Sequence, residues 1–141
     1  MQRVLVERRF AAPPGEVFAF LAEHENLEPL FGAQITRLRD GDDGTRNGVG
    51  STRRLKVAPV VPAFEETTTE LVPDSLIRYR ITKGSPLREH EGLMRFFPDG
   101  TGTRMVYEIT FGSAVPGVDA IVAAGLRRSI PRGLDRAKFS R

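Results

Sequence analysis

One long amphipathic segment near the end of the chain restricts the folds that this sequence can adopt. Between residues 118 and 137, apolar and small side chains recur every three to four positions and arginines occupy much of the rest, as in a helix with one buried stripe. A helix of about 20 residues is about 30 Å long, which is enough to cross a domain of this size. Pro131 removes one backbone hydrogen bond, so we predict a kink at residues 127–131. On the stripe, Gly125 and Gly133 either allow close approach of the sheet or leave space.

The segment before this helix has the periodicity of strands. From residue 34 onward, apolar side chains alternate with a period of about 2 instead of about 3.6, and clusters of Gly, Pro, Asp and Asn interrupt the alternation. Short turns between successive strands favour an antiparallel meander. The predicted strands cover residues 34–40, 52–57, 64–72, 76–83, 87–97 and 103–111.

The N-terminal part adds one strand and two short helices. Residues 3–11 alternate as a strand does, and a proline pair then stands where a helix can begin. Short helical pieces are predicted at residues 16–22 and 27–31. The sequence therefore predicts one α+β domain over residues 1–141, in which a curved six- to seven-stranded antiparallel sheet surrounds the long C-terminal helix.

Composition narrows the class of protein and of chemistry. Hydrophobic residues make up 40% of the chain and charged residues 28%, which are ordinary values for a globular domain. No apolar run approaches the roughly 18 residues of a membrane span, and the N-terminus is charged where a signal peptide is apolar, so we expect a cytoplasmic location. The absence of cysteine excludes disulfides and thiolate metal sites. With two distant histidines and no HExxH motif, we expect no metal and no cofactor.

The net charge of +3 and the pI of 9.8 come from the C-terminal end. Residues 104–141 hold seven basic and three acidic side chains. Cations near a helix C-terminus are favoured by the helix dipole, so a solvated helix face is the preferred interpretation and no nucleic-acid partner is expected. Binding of an anion, a nucleic acid or a membrane surface stays open as an alternative. The cations concerned are Arg127, Arg128, Arg132, Arg136, Lys138 and Arg141.

A pocket is expected between the sheet and the helix. A helix about 10 to 12 Å across cannot fill the concavity of a strongly bent sheet. Strand alternation and the helical stripe predict a mostly apolar lining with a few polar groups, which is typical of a small-molecule site. The predicted lining is Arg53, Tyr79, His90, Met94, Met105, Tyr107 and Ile109 on the strands, facing Ile121, Gly125, Leu126 and Ser129 on the helix.

The polar members of this lining allow more than one interpretation. His90 is a candidate general base or ligand-orienting donor, or else a structural histidine at the end of the sheet. Glu65 and Arg53 form a buried ion pair or hold a polar group of a substrate, unless a one-residue register error sends both to solvent. Glu65 and His90 are thus the weak catalytic candidates. His24 is expected to be an exposed loop histidine near the pocket mouth.

The chain resembles a known superfamily over nearly its whole length. The opening VLVERRFAAPPGEVFAFLAEHENLEPLF is similar to the start of the START and Bet v 1-like (SRPBCC) superfamily, particularly its bacterial polyketide cyclase/dehydrase and lipid-transport branch. GVGSTRRLKV, FEETTTELVPDSLIRYRI and GLMRFFPDGTGTRMVYEITF match later segments in order. The resemblance implies the helix-grip fold, with a cavity that binds lipids, polyketides, hormones or similar molecules. Some relatives are cyclases or hydrolytic and dehydrating enzymes and others only carry a ligand, and no catalytic signature carries over residue by residue.

Three functions follow from these observations as hypotheses. The first is binding, extending to transport, of a small hydrophobic ligand such as a lipid or polyketide-like molecule. The second is a cyclase- or dehydratase-type enzyme acting on such a ligand, so that enzyme status stays open. The third is anion or nucleic-acid binding by the basic C-terminal helix. The exposed strand faces, rich in Arg, Glu and Thr, favour a monomer or a small homo-oligomer.

Overall fold

A computed structural model describes residues 1–139 of the chain. Seven strands form one antiparallel sheet in the order β1-β7-β6-β5-β4-β3-β2, and three α-helices and one 3-10 turn accompany it. In chain order the elements are β1 (Gln2–Phe10), α1 (Pro14–Ala22), the 3-10 turn (His24–Leu27), α2 (Glu28–Phe31), β2 (Gln34–Arg39), β3 (Thr52–Lys56), β4 (Phe64–Val72), β5 (Leu76–Lys83), β6 (Leu87–Asp99), β7 (Gly102–Ser113) and α3 (Val118–Arg136).

The sheet curves around α3, which confirms the predicted helix-grip fold with two short helices near the N-terminus. α3 packs against α2 and β1, and its side chains Ala123, Ile130 and Leu134 are fully buried. The helix continues through Pro131 and ends at Arg136. The kink near Pro131 stays a prediction. None of the helices in the described part of the chain is both long and apolar enough to cross a membrane.

The core fills one end of the concave sheet more completely than the other. α1 begins with Pro14, whose missing N–H costs nothing in the first turn, and it buries Val17 and Leu21. The ring of Phe18 meets that of Phe96 edge-on, with 5.6 Å between their centroids. Met105 lies opposite Phe96 in the β6–β7 pairing and is fully buried. Apolar packing therefore occupies the end of the sheet under α1.

A register shift in β4 changes which of its side chains face the interior. The pairing of β4 with β5 slips between Thr68 and Glu70, so the strict alternation that would place Glu65 on the same face as Leu71 is broken. Glu66 and Thr68 are buried instead, and Glu65 is only partly buried. The prediction that Glu65 faces inward is therefore wrong, because a one-residue slip moves side chains to the opposite face of a strand.

β6 is also irregular, close to His90. Its pairing with β7 shifts between Arg88 and Glu91, and Glu89 adopts a φ of 52°, in the left-handed region that non-glycine residues rarely occupy. The side chain of His90 nevertheless points inward, since only 6% of it is exposed. This irregular segment lies at the end of the sheet that α1 does not cover.

Candidate functional site

A cavity of about 580 Å³ lies between the sheet and the N-terminal half of α3. It is bordered by the β3–β4 loop and by the turn between β5 and β6. Seven predicted lining residues do line it, and most of the wall is apolar. They are Tyr79, His90, Ile109, Ile121, Gly125, Leu126 and Ser129.

Four other predicted residues do not line this cavity. Arg53 is buried behind Glu66 and Tyr79, and Met94, Met105 and Tyr107 belong to the fully buried core. The side chains of these last three do face inward, as the strand alternation predicts. An inward side chain does not contact the cavity, however, where other elements pack directly onto it.

Several lining residues were missed from the sequence. Val118 and Val122 lie on the same helical stripe as Ile121, so the helical periodicity was sufficient to predict that they line the cavity. Val61 and Pro62 lie in the β3–β4 loop, where a run of valines and prolines offered only a weak signal. Glu66 was missed because of the register shift in β4.

The two glycines on the apolar stripe of α3 have opposite roles. A Cβ at Gly133 would lie 2.6 Å from both the Cα and the nitrogen of Leu30, so glycine lets α2 approach closely. A Cβ at Gly125 would meet nothing within 4 Å, and Gly125 lines the cavity. One glycine thus permits helix packing and the other leaves space.

The side chains of Arg53 and Glu66 form a buried ion pair in the wall of the site. Nε and Nη2 of Arg53 both donate to Oε1 of Glu66, at 2.9 and 2.7 Å. Arg53 is 4% exposed and Glu66 is 5% exposed. The guanidinium also lies over the ring of Tyr79, 4.7 Å from its centroid, which adds cation–π attraction. The pair is charge-assisted and shielded from water.

His90 is held in one tautomer by the backbone. The N–H of Ile81 donates to Nδ1 of His90 at 2.9 Å, so Nδ1 is the acceptor and the proton of the neutral ring is assigned to Nε2. Nε2 lies 3.8 Å from Oε2 of Glu66. Burial lowers the pKa of His90 although the Glu66 carboxylate opposes this shift, so the ring is neutral near pH 7. His90 is thus arranged as a donor through Nε2, and its Nδ1 lone pair is already engaged.

Tyr79 and Tyr107 share a buried hydrogen bond between their hydroxyl groups. Burial raises the pKa of both hydroxyl groups, so both stay protonated. The ring of Tyr79 lies against the Cα of Gly92, where even one added methyl group would collide with it. Tyr79 lines the cavity and Tyr107 supports it from behind.

His24 is buried, so the expectation of an exposed loop histidine is wrong. The 3-10 turn directs it inward, where it is 1% exposed and its Nε2 lies 3.0 Å from Oγ of Ser51. Ser51 in turn donates to Thr68 Oγ1 at 3.3 Å. Burial lowers the pKa of His24 to about 3, with a further contribution from the positive charge of Arg53. His24 does not line the cavity.

The C-terminal cations lie away from the cavity lining. Arg127, Arg128, Arg132 and Arg136 are exposed, and Arg127 donates to the backbone oxygen of Arg3 at 2.8 Å. Arg141 lies outside the described residues. Within residues 1–139, no group of three or more His, Asp or Glu side chains is placed to hold a metal ion.

A second, more open depression of about 690 Å³ lies between α1 and the β2–β3 loop. Its lining includes Gly15 of α1, Gly48 of the loop and the side chains of Asp42, Asp43 and Asp74. Its acidic groups belong to turns, and Asp43 caps Thr45 there. The cavity under α3 combines enclosure, an apolar wall and a polar cluster, and it is therefore the better candidate site.

Comparison with known proteins assigns the chain to a family. A family model described as polyketide cyclase/dehydrase and lipid transport matches residues 1–138, and no curated protein matches. A protein of Thermus thermophilus has a similar structure, with 22% identity, 95% of this chain and 92% of that chain covered and a TM-score of 0.74. The Zhui aromatase/cyclase from Streptomyces sp. R1128 is also similar, at 20% identity, 95% and 87% coverage and a TM-score of 0.67. So is the truncated norcoclaurine synthase from Thalictrum flavum, at 13% identity, 97% and 95% coverage and a TM-score of 0.66. These likenesses show a shared Bet v 1-like fold, and the chain belongs to the polyketide cyclase/dehydrase and lipid transport family.

Proposed function

We propose that this protein binds a small, largely apolar molecule, such as a lipid or a polyketide-like compound, in the cavity under α3. The observation that carries this proposal is the cavity of about 580 Å³ between the sheet and α3, with a mainly apolar wall and an opening to solvent. Ligand sites of this kind have volumes of about 300 to 1,000 Å³ and a few placed polar groups. Transport is the natural extension for a protein that holds such a molecule away from water.

The rim of the cavity supports entry of an apolar molecule from outside. Ile121 lines the cavity and is 74% exposed. Val57 and Val61, across the opening, also line it and are exposed. Exposed apolar side chains that continue into an apolar interior are a feature of ligand entrances and other interaction sites.

Native mass spectrometry with a panel of fatty acids, fatty alcohols and aromatic polyketides tests this proposal. We expect at least one class to bind the wild-type protein in a one-to-one ratio. Gly125→Phe should weaken that binding by at least tenfold, because the new ring occupies space that lines the cavity. Ala124→Phe is the matched control, since Ala124 is the exposed neighbour on α3 and does not line the cavity. No binding by any class, or equal weakening by both variants, would contradict the proposal.

A cyclase- or dehydratase-type enzyme acting on such a ligand is the second candidate function. The specific observation in its favour is the pairing of Glu66 and His90 at the cavity wall, with Oε2 and Nε2 3.8 Å apart. The carboxylate can remove a proton from a substrate and, as the carboxylic acid, return it in a later step, while the neutral N–H of His90 donates a hydrogen bond to the oxyanion that develops. Glu66 takes the role that the sequence assigned to Glu65.

Product analysis of bound ligands distinguishes the two candidates. An enzyme of this kind should convert a bound polyketide-like compound, and Glu66→Gln should reduce the rate by at least a hundredfold while Glu65→Gln leaves it unchanged. Recovery of every bound ligand unaltered from the wild-type protein would leave binding as the function and remove the enzymatic candidate.

A further inference from the structure

Two polar atoms in the cavity wall keep an unused hydrogen-bonding capacity. Oε1 of Glu66 accepts both hydrogen bonds from Arg53, and Nδ1 of His90 accepts the one from Ile81. Oε2 of Glu66 and Nε2 of His90 form no hydrogen bond with any of the residues that the structure describes. Their separation of 3.8 Å exceeds the length of a direct hydrogen bond.

These two atoms are a matched acceptor and donor. The carboxylate oxygen only accepts, and the assigned tautomer of His90 makes Nε2–H only a donor. One oxygen atom placed between atoms 3.8 Å apart can lie about 2.8 Å from both of them. A hydroxyl group meets both requirements at once, since it donates one hydrogen bond and accepts others.

Other common head groups meet only part of the requirement. A carboxylate has no proton to donate and brings a second negative charge close to Glu66. An ether oxygen accepts from His90 but leaves Oε2 of Glu66 without a donor. An ammonium group donates to Glu66 but leaves the N–H of His90 unpaired. Buried polar groups that lose their partners are costly, so each of these head groups is disfavoured at this position.

The surroundings of the pair define the rest of the ligand. Leu55, Phe64, Ile81 and Ile109 line the cavity around it, and none of them offers a polar side-chain atom. Among the described residues, no Lys or Arg side chain lines the cavity to pair with an anionic ligand, and Nε and Nη2 of Arg53 are both directed at Glu66. The body of the molecule is therefore apolar and its polar group is neutral.

We propose that the cavity selects an apolar molecule that carries an uncharged hydroxyl group, an alcohol or a phenol, over the corresponding carboxylate or ether. The hydroxyl donates to Oε2 of Glu66 and accepts from Nε2–H of His90. This inference rests on the proposed binding function and adds the chemical class of the ligand. A site built to hydrogen-bond a substrate hydroxyl rejects analogues that lack it strongly.

Two sets of probes that differ only in the head group test this selectivity. The first is 2-naphthol, 2-methoxynaphthalene and 2-naphthoate, and the second is 1-dodecanol, dodecyl methyl ether and dodecanoate. Dissociation constants are measured by calorimetric titration at pH 7 for the wild-type protein and for two variants. The first variant is Glu66→Gln, and the second is a double variant that combines Arg53→Met with Glu66→Leu. The double variant removes both members of the ion pair, so that no unpaired buried charge threatens its folding.

In at least one set we expect the wild-type protein to bind the hydroxyl compound about ten- to a hundredfold more tightly than its ether and its carboxylate. The double variant should bind hydroxyl and ether equally, and Glu66→Gln should bind the carboxylate better than the wild type does. Equal wild-type affinity for hydroxyl and ether in both sets, or preference for the carboxylate, would overturn the hydroxyl assignment and leave apolar binding in place. Failure of all six probes and of the wider lipid and polyketide panel would overturn both proposals.

Discussion

Gly133 of α3 lies directly against the backbone of Leu30 in α2, and a methyl group on it would stand 2.6 Å from the Leu30 nitrogen and from its Cα. This contact fixes the C-terminal half of α3 against α2. Two turns earlier, Gly125 faces open space in the cavity wall. The same helix is therefore clamped at one end and leaves room for a ligand at the other.

The first prediction compares alanine at these two glycines. Gly133→Ala should lower the free energy of unfolding by about 1 to 3 kcal/mol, because backbone atoms cannot move aside as a flexible side chain can. Gly125→Ala should be neutral or raise it by up to about 1 kcal/mol, since alanine favours a helix over glycine. Urea denaturation of both variants gives the two values. Similar losses at both positions would contradict the assigned roles.

The second prediction concerns the floor of the cavity at Tyr79. Gly92→Ala should displace the Tyr79 ring, break its hydrogen bond with Tyr107 and cost about 1 to 3 kcal/mol of stability. Gly112→Ala is the matched control on β7, where an added Cβ meets nothing within 4 Å, and it should change stability by less than about 0.5 kcal/mol. Thermal unfolding together with ligand titration measures both effects. An unchanged ligand affinity in Gly92→Ala would show that Tyr79 does not contribute to ligand binding.

The third prediction concerns the ion pair of Arg53 and Glu66. Arg53→Met alone should cost about 3 to 5 kcal/mol, because it leaves a buried carboxylate without its partner. Adding Glu66→Leu should recover most of the lost stability, since replacing a buried ion pair by apolar side chains often leaves the free energy of unfolding nearly unchanged. A double-mutant cycle on the free energy of unfolding measures the coupling. If the two single losses simply add, the pair is not coupled as its geometry indicates.

The fourth prediction concerns stability at acidic pH. The pKa of His24 falls from 6.5 to about 3 in the folded protein, and the pKa of His90 is also lowered. Below pH 6.5 the unfolded chain binds protons at these histidines that the folded protein does not. The histidines therefore leave the free energy of unfolding undiminished above pH 6.5, and they lower it progressively as the pH falls toward 3. The slope should be about 1 kcal/mol per pH unit for His24, and His90 should add to it in the same direction.

Between pH 6.5 and pH 4.5, the contribution of the histidines to the pH dependence of stability can be measured separately from that of Glu23. Hydrogen bonds from Arg46 and Asn47 lower the pKa of Glu23 from 4.5 to about 2, so its own contribution is lost only below that window. His24→Gln should reduce the slope of stability against pH between 6.5 and 4.5, as measured by urea denaturation at several pH values. An unchanged slope in this variant would show that His24 is protonated in the folded protein.

The regular strands explain which site residues could be predicted. β5 keeps its alternation around Tyr79, and β7 keeps it around Ile109, so both were placed correctly in the lining. The helical stripe gave Ile121 and Gly125 for the same reason. Periodicity is a reliable signal where the backbone is regular.

The remaining site residues depend on features that periodicity does not encode. Because of the register shift in β4, Glu66 faces inward in place of Glu65. The strand contains no turn-forming residue that would indicate this shift. Met94 and Met105 face inward as predicted, but apolar packing under α1 fills their end of the sheet. These inward-facing side chains therefore do not line the cavity. His24 was misjudged because a short 3-10 turn buries it, which its loop-like sequence does not indicate.

A crystal structure of the protein with its tightest-binding ligand tests the central claim most directly. We predict that the ligand lies under α3, within about 4 Å of Tyr79, Ile109 and Gly125, with its hydroxyl group between Glu66 and His90. An interior filled by protein side chains, or a ligand bound only outside the cavity, would contradict the account.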